Sequence, residues 1–283
     1  MRVEIRPSDI ESLAPMPVSV VRLASLAVDE RASMQEIAEI IEYDEALTAN
    51  LLRLANSVWG RSLAPILTVK DAVVRLGTAQ ILKFCVGRQV AGPMSEAIPG
   101  YALAEHELWR HSVAAALAAE RLNSFLYDPV PRLAFTAALL HDIGKLLLGR
   151  YMGPDTFKAI RAMSACEQIP FQEAERRLLG TTHAEVGGRV ARYWKFPNQL
   201  VDAIERHHEP ELEPDALVDI VFLADATARR LGAGAPVDPG DAPPERASRR
   251  LGIAPADLDR SAEQVMNELE AAEKLFMLEE ATA

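Results

Sequence analysis

The chain has 283 residues, 49% of them hydrophobic, 25% charged and 6% aromatic. That is enough apolar material to bury a full core and too much for a disordered chain. Thirty basic and 41 acidic residues leave a net charge of −11, which repels a polyphosphate backbone and excludes nucleic acid as the main partner. No uncharged apolar run approaches the ~18 residues of a membrane span, and the N-terminus has no signal-peptide pattern; a cytoplasmic protein with no membrane partner is expected.

Ala and Leu dominate, which predicts an almost all-α protein. Leu13-Ala14-Pro15-Met16-Pro17 opens the first helix, followed by an apolar face from Val18 to Ala27. Ser33 heads a helix from Met34 to Glu42, and a third runs from about Asp44 to Val58. Arg61 to Leu67, with Pro65, reads as a loop. Thr68 caps a helix over Val69–Leu76, which Gly77 ends, and another covers Ala79 to about Val90. The Gly- and Pro-containing stretch from Gly92 to Gly100 marks a subdomain boundary.

Beyond it, a long helix from Leu103 to about Phe125 carries His106, Trp109 and His111, and Pro129 and Pro131 precede a central helix over Arg132–Leu148. Further helices are predicted over Pro154–Cys166 and Phe171–Leu179, with Gly180 closing the second. Thr182 and Glu185 form a capping-box pattern for the helix that reaches Trp194. Leu200–His208 and Ala216–Leu231 follow, then a linker over Gly232–Arg250. In the tail, Asp257–Glu280, the residues Leu258, Ala262, Val265, Leu269, Ala272 and Phe276 lie on one stripe of an acidic helix, suited to packing on the body of the protein or on a second copy as a homodimer. No internal repeat is visible. The expected organisation is an N-terminal helical subdomain over residues 1–96, a metal-binding helical subdomain over 97–232, and a linker with a C-terminal helix over 233–283.

The chemistry concentrates at Leu139–Leu148, where His141, Asp142 and Lys145 interrupt an apolar run. Burying such groups unpaired costs a few kcal/mol each, so they need partners. Five of the six histidines, His111, His141, His183, His207 and His208, fall where a helix face or helix end turns inward, and Asp225 sits between Ala224 and Ala226. Singly, each has an ordinary reading: a core histidine for His111, a helix cap for His183, a solvated helix end for His207-His208, a packing hydrogen bond for Asp225. His106, between two glutamates, reads as solvated. As a set, they offer more nitrogen and oxygen ligands than one tetrahedral ion needs, permitting two ions or one octahedral ion with open water positions. Cys85 and Cys166 lie far apart in mainly apolar surroundings with no metal-ligand spacing, and read as reduced core thiols. With no thiolate in the set, the donors suit iron, manganese, zinc or magnesium rather than a structural zinc.

The order His111, His141-Asp142 with Gly144-Lys145, His183, His207-His208 and Asp225 resembles the HD superfamily of metal-dependent phosphohydrolases, most closely its HD-GYP branch. Leu13–Pro17, Ile41 through Asp44 to Thr48, Leu51–Ser57 and Ile66 through Ala72 to Gly77 resemble the HDOD family, a bacterial signalling relative with the same kind of helical core; the likeness spans about residues 8–230. It implies an all-α helical bundle in which His111, His141, Asp142 and Asp225 hold one ion. His183, His207 and His208, with Asp142 bridging, hold a second. Iron or manganese is favoured over zinc or magnesium, and Asp142 and Lys145 are the catalytic candidates, Lys145 facing a substrate phosphate. Glu209–Pro214 stands where HD-GYP enzymes carry their Gly-Tyr-Pro segment. The resemblance therefore implies first a regulatory module retaining a metal site, its partner a signalling protein or a phosphorylated small molecule. It implies second a phosphohydrolase acting on a nucleotide or cyclic nucleotide, with a metal-activated water as nucleophile.

Overall fold

A computed structural model describes residues 2–29, 31–58, 65–127, 133–212, 214–233 and 245–277. Among them there is no strand, only one antiparallel bridge between Ile98 and Leu103. Among the described residues no helix is long and apolar enough to cross a membrane. The chain is all-α, as its composition predicts.

The first half comprises α1 (Pro7–Glu11), α2 (Val18–Ala27), α3 (Met34–Glu42), α4 (Glu45–Val58) and α5 (Val69–Ser95). The predicted start signals work as expected: Ser33 and Glu36 exchange a capping box at α3, and the Thr68 hydroxyl accepts from the Asp71 amide at 3.1 Å to start α5. Gly77 ends one helix and begins the next within α5, at φ +75° and ψ 160°. The second stretch runs past Val90 to Ser95, further than predicted, because Pro93 falls in the last turn, where its missing amide removes a single rung. Helices α2, α3 and α4 pack on α5.

The second half runs α6 (Glu107–Ser124), α7 (Ala134–Leu140), α8 (Lys145–Leu148), α9 (Pro154–Glu167), α10 (Phe171–Leu179), α11 (His183–Tyr193), α12 (Asn198–Glu205), α13 (Ala216–Arg230), α14 (Glu245–Leu251) and α15 (Pro255–Met277). The axis is α6, which is covered by α7, α13 and α15. Its run Ala114, Ala115, Ala116, Ala118 and Ala119 is wholly buried, and these short side chains let the neighbours approach on several sides. The N-terminal segment reaches across to this half, the Val3 amide donating to the Leu179 carbonyl at 2.7 Å.

Several expectations are corrected. The short α1 was not anticipated. Helix α6 begins at Glu107, not Leu103, because His106 turns left-handed at φ +65°; His106 is exposed, as expected. Cys85 is a core thiol but Cys166 is exposed at the end of α9. Helix α14 occupies the last part of the predicted linker, pinned by Arg250, whose guanidinium donates to both oxygens of the buried Asp219 carboxylate at 2.6 and 2.8 Å. Pro129 and Pro131, the loop residues 61–64, linker residues 234–244 and the tail from Leu278, together with the Phe276 side chain, lie outside the described residues.

Helix α15 uses its predicted stripe against the body of the protein: Val265 and Leu269 are buried, and Arg121–Glu268 and Arg110–Glu273 tie it to α6 at 2.5 and 2.8 Å. Each buried aliphatic side chain is worth about 2 kcal/mol. Removal of residues 255–283 is therefore expected to lower the thermal midpoint by roughly 5–10 °C in a melt followed by circular dichroism.

Candidate metal centre

The central stretch does not form the single helix predicted. Helix α7 stops at Leu140 and α8 starts at Lys145; between them the amides of Ile143, Lys145 and Leu146 each bond to the carbonyl three residues back. In such tight turns residues three apart eclipse, so the Lys145 ammonium lands over Asp142, at 2.6 Å from Oδ2, rather than over His141. Gly144 makes this turn fit its neighbour. A Cβ there would lie 2.0 Å from the His183 carbonyl oxygen and 2.5 Å from the Gly187 amide, so only glycine lets α11 bring His183 to the site.

The seven predicted ligands converge. His111 comes from α6, His141 and Asp142 from the turn after α7, His183 from the start of α11, His207 and His208 from the turn after α12, and Asp225 from α13. His111, His141 and Asp142 present ligand atoms within 4.8 Å of one another, as do His183, His207 and His208. Asp225 Oδ1 completes the first group at 3.2 Å from His111 Nε2 and 3.7 Å from His141 Nε2. Asp142 lies between the groups: Oδ2 is 3.4 and 3.3 Å from His111 and His141 Nε2, and Oδ1 is 3.4 Å from His183 Nε2. Six of the seven are buried, and His208 is half-buried.

Four of the five imidazoles are held by their far nitrogens. Nδ1 of His111, His141 and His207 lies 2.8, 2.7 and 2.7 Å from the carbonyl oxygens of Ala233, Ala138 and Ile204. Nδ1 of His183 lies 2.7 Å from Glu175 Oε2. Carbonyls and carboxylates only accept, so each of these Nδ1 atoms carries a hydrogen, which leaves Nε2 as the atom turned inward to ligate. There His183 and His208 Nε2 are 2.9 Å apart, and His111 and His141 Nε2 3.2 Å. Between His111 and His141, both with Nδ1 on a carbonyl, two lone pairs at that distance repel unless a cation or proton stands with them. Asp142 Oδ1 and His207 Nε2 are buried without a hydrogen-bond partner, whereas buried polar atoms almost always have one. These orphaned atoms and this donor set of imidazole and carboxylate fit divalent ions of the N/O-binding kind.

The electrostatics agree. Burial alone would raise the Asp142 pKa, but Lys145, His141 and His183 outweigh it and hold the carboxyl well below its ordinary range. Asp225 is likewise driven down against burial, by Arg229 and then by His111 and His141. Burial and then the neighbouring imidazoles push His207 and His208 well down, so both stay neutral and able to ligate. His141 is the exception: Asp142 and Asp225 overcome its burial and move it up.

Three contributing residues escaped the sequence reading. Arg229, one turn after Asp225, pairs with Asp225 Oδ2. Glu175, fully buried, receives the Tyr101 hydroxyl on Oε1 at 2.6 Å and the His183 amide on Oε2 at 3.0 Å. A signal for Glu175 existed: it shares the apolar face of α10 with Phe171, Leu178 and Leu179, where a carboxylate needs a purpose.

The HDOD domain family model matches residues 13–210. In solved structures, the chain is similar to an HDOD domain protein of unknown function from Geobacter sulfurreducens, with 26% identity and a TM-score of 0.66 over 96% of this chain and 98% of that one. A candidate phosphohydrolase from Shewanella amazonensis SB2B aligns at 23% identity and a TM-score of 0.64, covering 95% and 96%. A candidate signal transduction protein from Marinobacter aquaeolei VT8 aligns at 22% and 0.73, covering 98% of this chain and 62% of that chain. An uncharacterized protein of Treponema pallidum (strain Nichols) is 23% identical over 235 residues, 81% of this chain but only 44% of the relative's own length. With its family pattern spanning most of the sequence and its helices folded accordingly, the chain belongs to the HDOD family.

Proposed function

We propose that this protein is a signal-transduction module of regulatory type built around a two-ion metal centre. His111, His141, Asp142 and Asp225 hold one ion. His183, His207 and His208 hold the other, and Asp142 bridges. The observation that carries the centre is the inward approach of His111 Nε2 to His141 Nε2 at 3.2 Å, between rings whose Nδ1 atoms are tied to backbone carbonyls, with Asp142 Oδ1 and His207 Nε2 buried and unpartnered beside it. The mixed imidazole and carboxylate donors suit iron, zinc or manganese better than magnesium, and the HD-superfamily resemblance favours iron or manganese among them.

Two features favour regulation over turnover. Lys145 is spent on Asp142, and the segment after His208 is tied down: Arg176 holds Glu209 at 2.7 Å, and Arg250 holds Glu211 at 3.1 Å and the Pro210 carbonyl at 3.2 Å. The partner in this reading is a signalling protein or a phosphorylated small molecule. The bridging placement of Asp142 favours a second reading, a metal-dependent phosphohydrolase. Bound ions would supply Lewis acidity toward a phosphoester. Lys145, released from Asp142, would meet the phosphate.

Elemental analysis of untreated protein is expected to find about two transition-metal ions per chain. Protein loaded with manganese or iron is expected to be silent toward cyclic dinucleotides, nucleotides and a generic phosphoester. Turnover that Lys145→Ala abolishes would establish the second reading instead.

A further inference from the structure

Tyr101 lies on the 3-10 turn Pro99–Tyr101 between the two halves of the fold; its ring meets the His183 ring edge-on at 6.3 Å between centroids, and its hydroxyl bonds to a residue outside the candidate ligands. Its ring is wedged: Phe157 packs edge-on at 6.4 Å between centroids, Phe171 lies at 6.4 Å, and the Lys145 ammonium is 5.8 Å from the ring centre. The turn is locked to the segment after α8 by two glycines. A Cβ on Gly100 would lie 2.1 Å from the Gly149 carbonyl oxygen, and one on Gly149 would lie 3.2 Å from the Tyr101 ring. The hydroxyl of a ring fixed in this way has one place to go, Glu175 Oε1 at 2.6 Å.

Glu175 in turn grips His183 twice, by the backbone amide at 3.0 Å and by Nδ1 at 2.7 Å. Neither His111, His141 nor His207 has a carboxylate at Nδ1; all three lean on backbone carbonyls. His183 is thus the one of these four whose orientation depends on side chains that can be changed singly. Its Nε2 faces His208 Nε2 and Asp142 Oδ1, the second group.

We propose that Tyr101 and Glu175 are positioning residues for the second ion alone: the Tyr101 hydroxyl fixes the Glu175 carboxylate, the carboxylate fixes the ring and tautomer of His183, and the junction between the halves thereby sets how tightly that ion is held. The proposal rests on the two-ion reading above. A carboxylate behind a ligating histidine raises its basicity and orients it, and loss of such a partner weakens metal binding 10- to 100-fold. The side-chain bonds of Tyr101 and Glu175 described above run to each other and to His183, and Asp142, shared by both groups, is held separately by Lys145.

The test is manganese and zinc binding by calorimetry with chelator competition, on the whole chain and on two single-site backgrounds, His111→Ala to isolate the second site and His207→Ala to isolate the first. Tyr101→Phe keeps the ring and its packing and removes only the hydroxyl. It is expected to weaken the second site about 10-fold and to leave the first unchanged; Glu175→Gln is expected to act in the same direction more strongly. Wild-type protein that takes two ions, with Tyr101→Phe indistinguishable from it or weakened equally at both sites, overturns the positioning role and leaves the two-ion centre standing. Wild-type protein that takes up no second ion overturns both.

Discussion

Asp142→Ala is expected to reduce bound metal from about two ions per chain to less than one, the largest loss of any single substitution in the site. Asp142 alone addresses both groups, Oδ2 facing His111 and His141 while Oδ1 faces His183. The other carboxylate, Asp225, serves only the first. The substitution also strands the Lys145 ammonium, whose 2.6 Å partner disappears, and removal of one member of a buried pair costs on the order of 3 kcal/mol. Asp142→Asn separates the two effects: it keeps the volume and one acceptor oxygen, so the stability loss should shrink while the metal loss remains. Elemental analysis with denaturant melts on both variants is the check, and retention of two ions in Asp142→Ala would remove the bridging role.

Gly144→Ala is expected to be the most damaging change that adds only a methyl group. The new carbon would meet the His183 carbonyl oxygen at 2.0 Å and the Gly187 amide at 2.5 Å, and both are backbone, which cannot step aside like the end of a flexible side chain. The turn and α11 must move apart, at a cost on the order of 3 kcal/mol, or roughly 6–10 °C in thermal midpoint. Because α11 carries His183, the second site should open while the first is less affected. A thermal melt paired with metal stoichiometry reads both effects. A Gly144→Ala protein with unchanged midpoint would mean that the two elements are not in contact.

Much of this was legible before any coordinates. Ser33, Thr68 and Thr182 announce their helices because capping is local chemistry. The seven candidate ligands were recognisable as a set because their order resembles that of the HD superfamily, whereas singly His183 and His207-His208 read as ordinary helix-end residues. What could not be read is what depends on a neighbour distant in sequence. The Leu-rich run around His141 is as compatible with one helix as with two joined by tight turns; the approach of α11 to Gly144 decides. Glu245–Leu251 looks like linker by composition, and it is helical where Arg250 finds Asp219. Cys166 looked like a core residue because its apolar neighbours in sequence do not surround it in space. Glu175 was readable in principle, as a charge on an apolar face, but its partner Tyr101 is 74 residues away.

The backbone carbonyls of Ala138, Ile204 and Ala233 that fasten three of the imidazoles belong to the folded scaffold itself. Restricting those rings is therefore a by-product of folding, and little rotational freedom is left for an incoming cation to remove. In small zinc modules the apo chain is unstructured and the ion supplies the fold. Here a large apolar core holds the helices that carry those carbonyls, so chelator treatment is expected to leave a helical protein that reloads without having to refold.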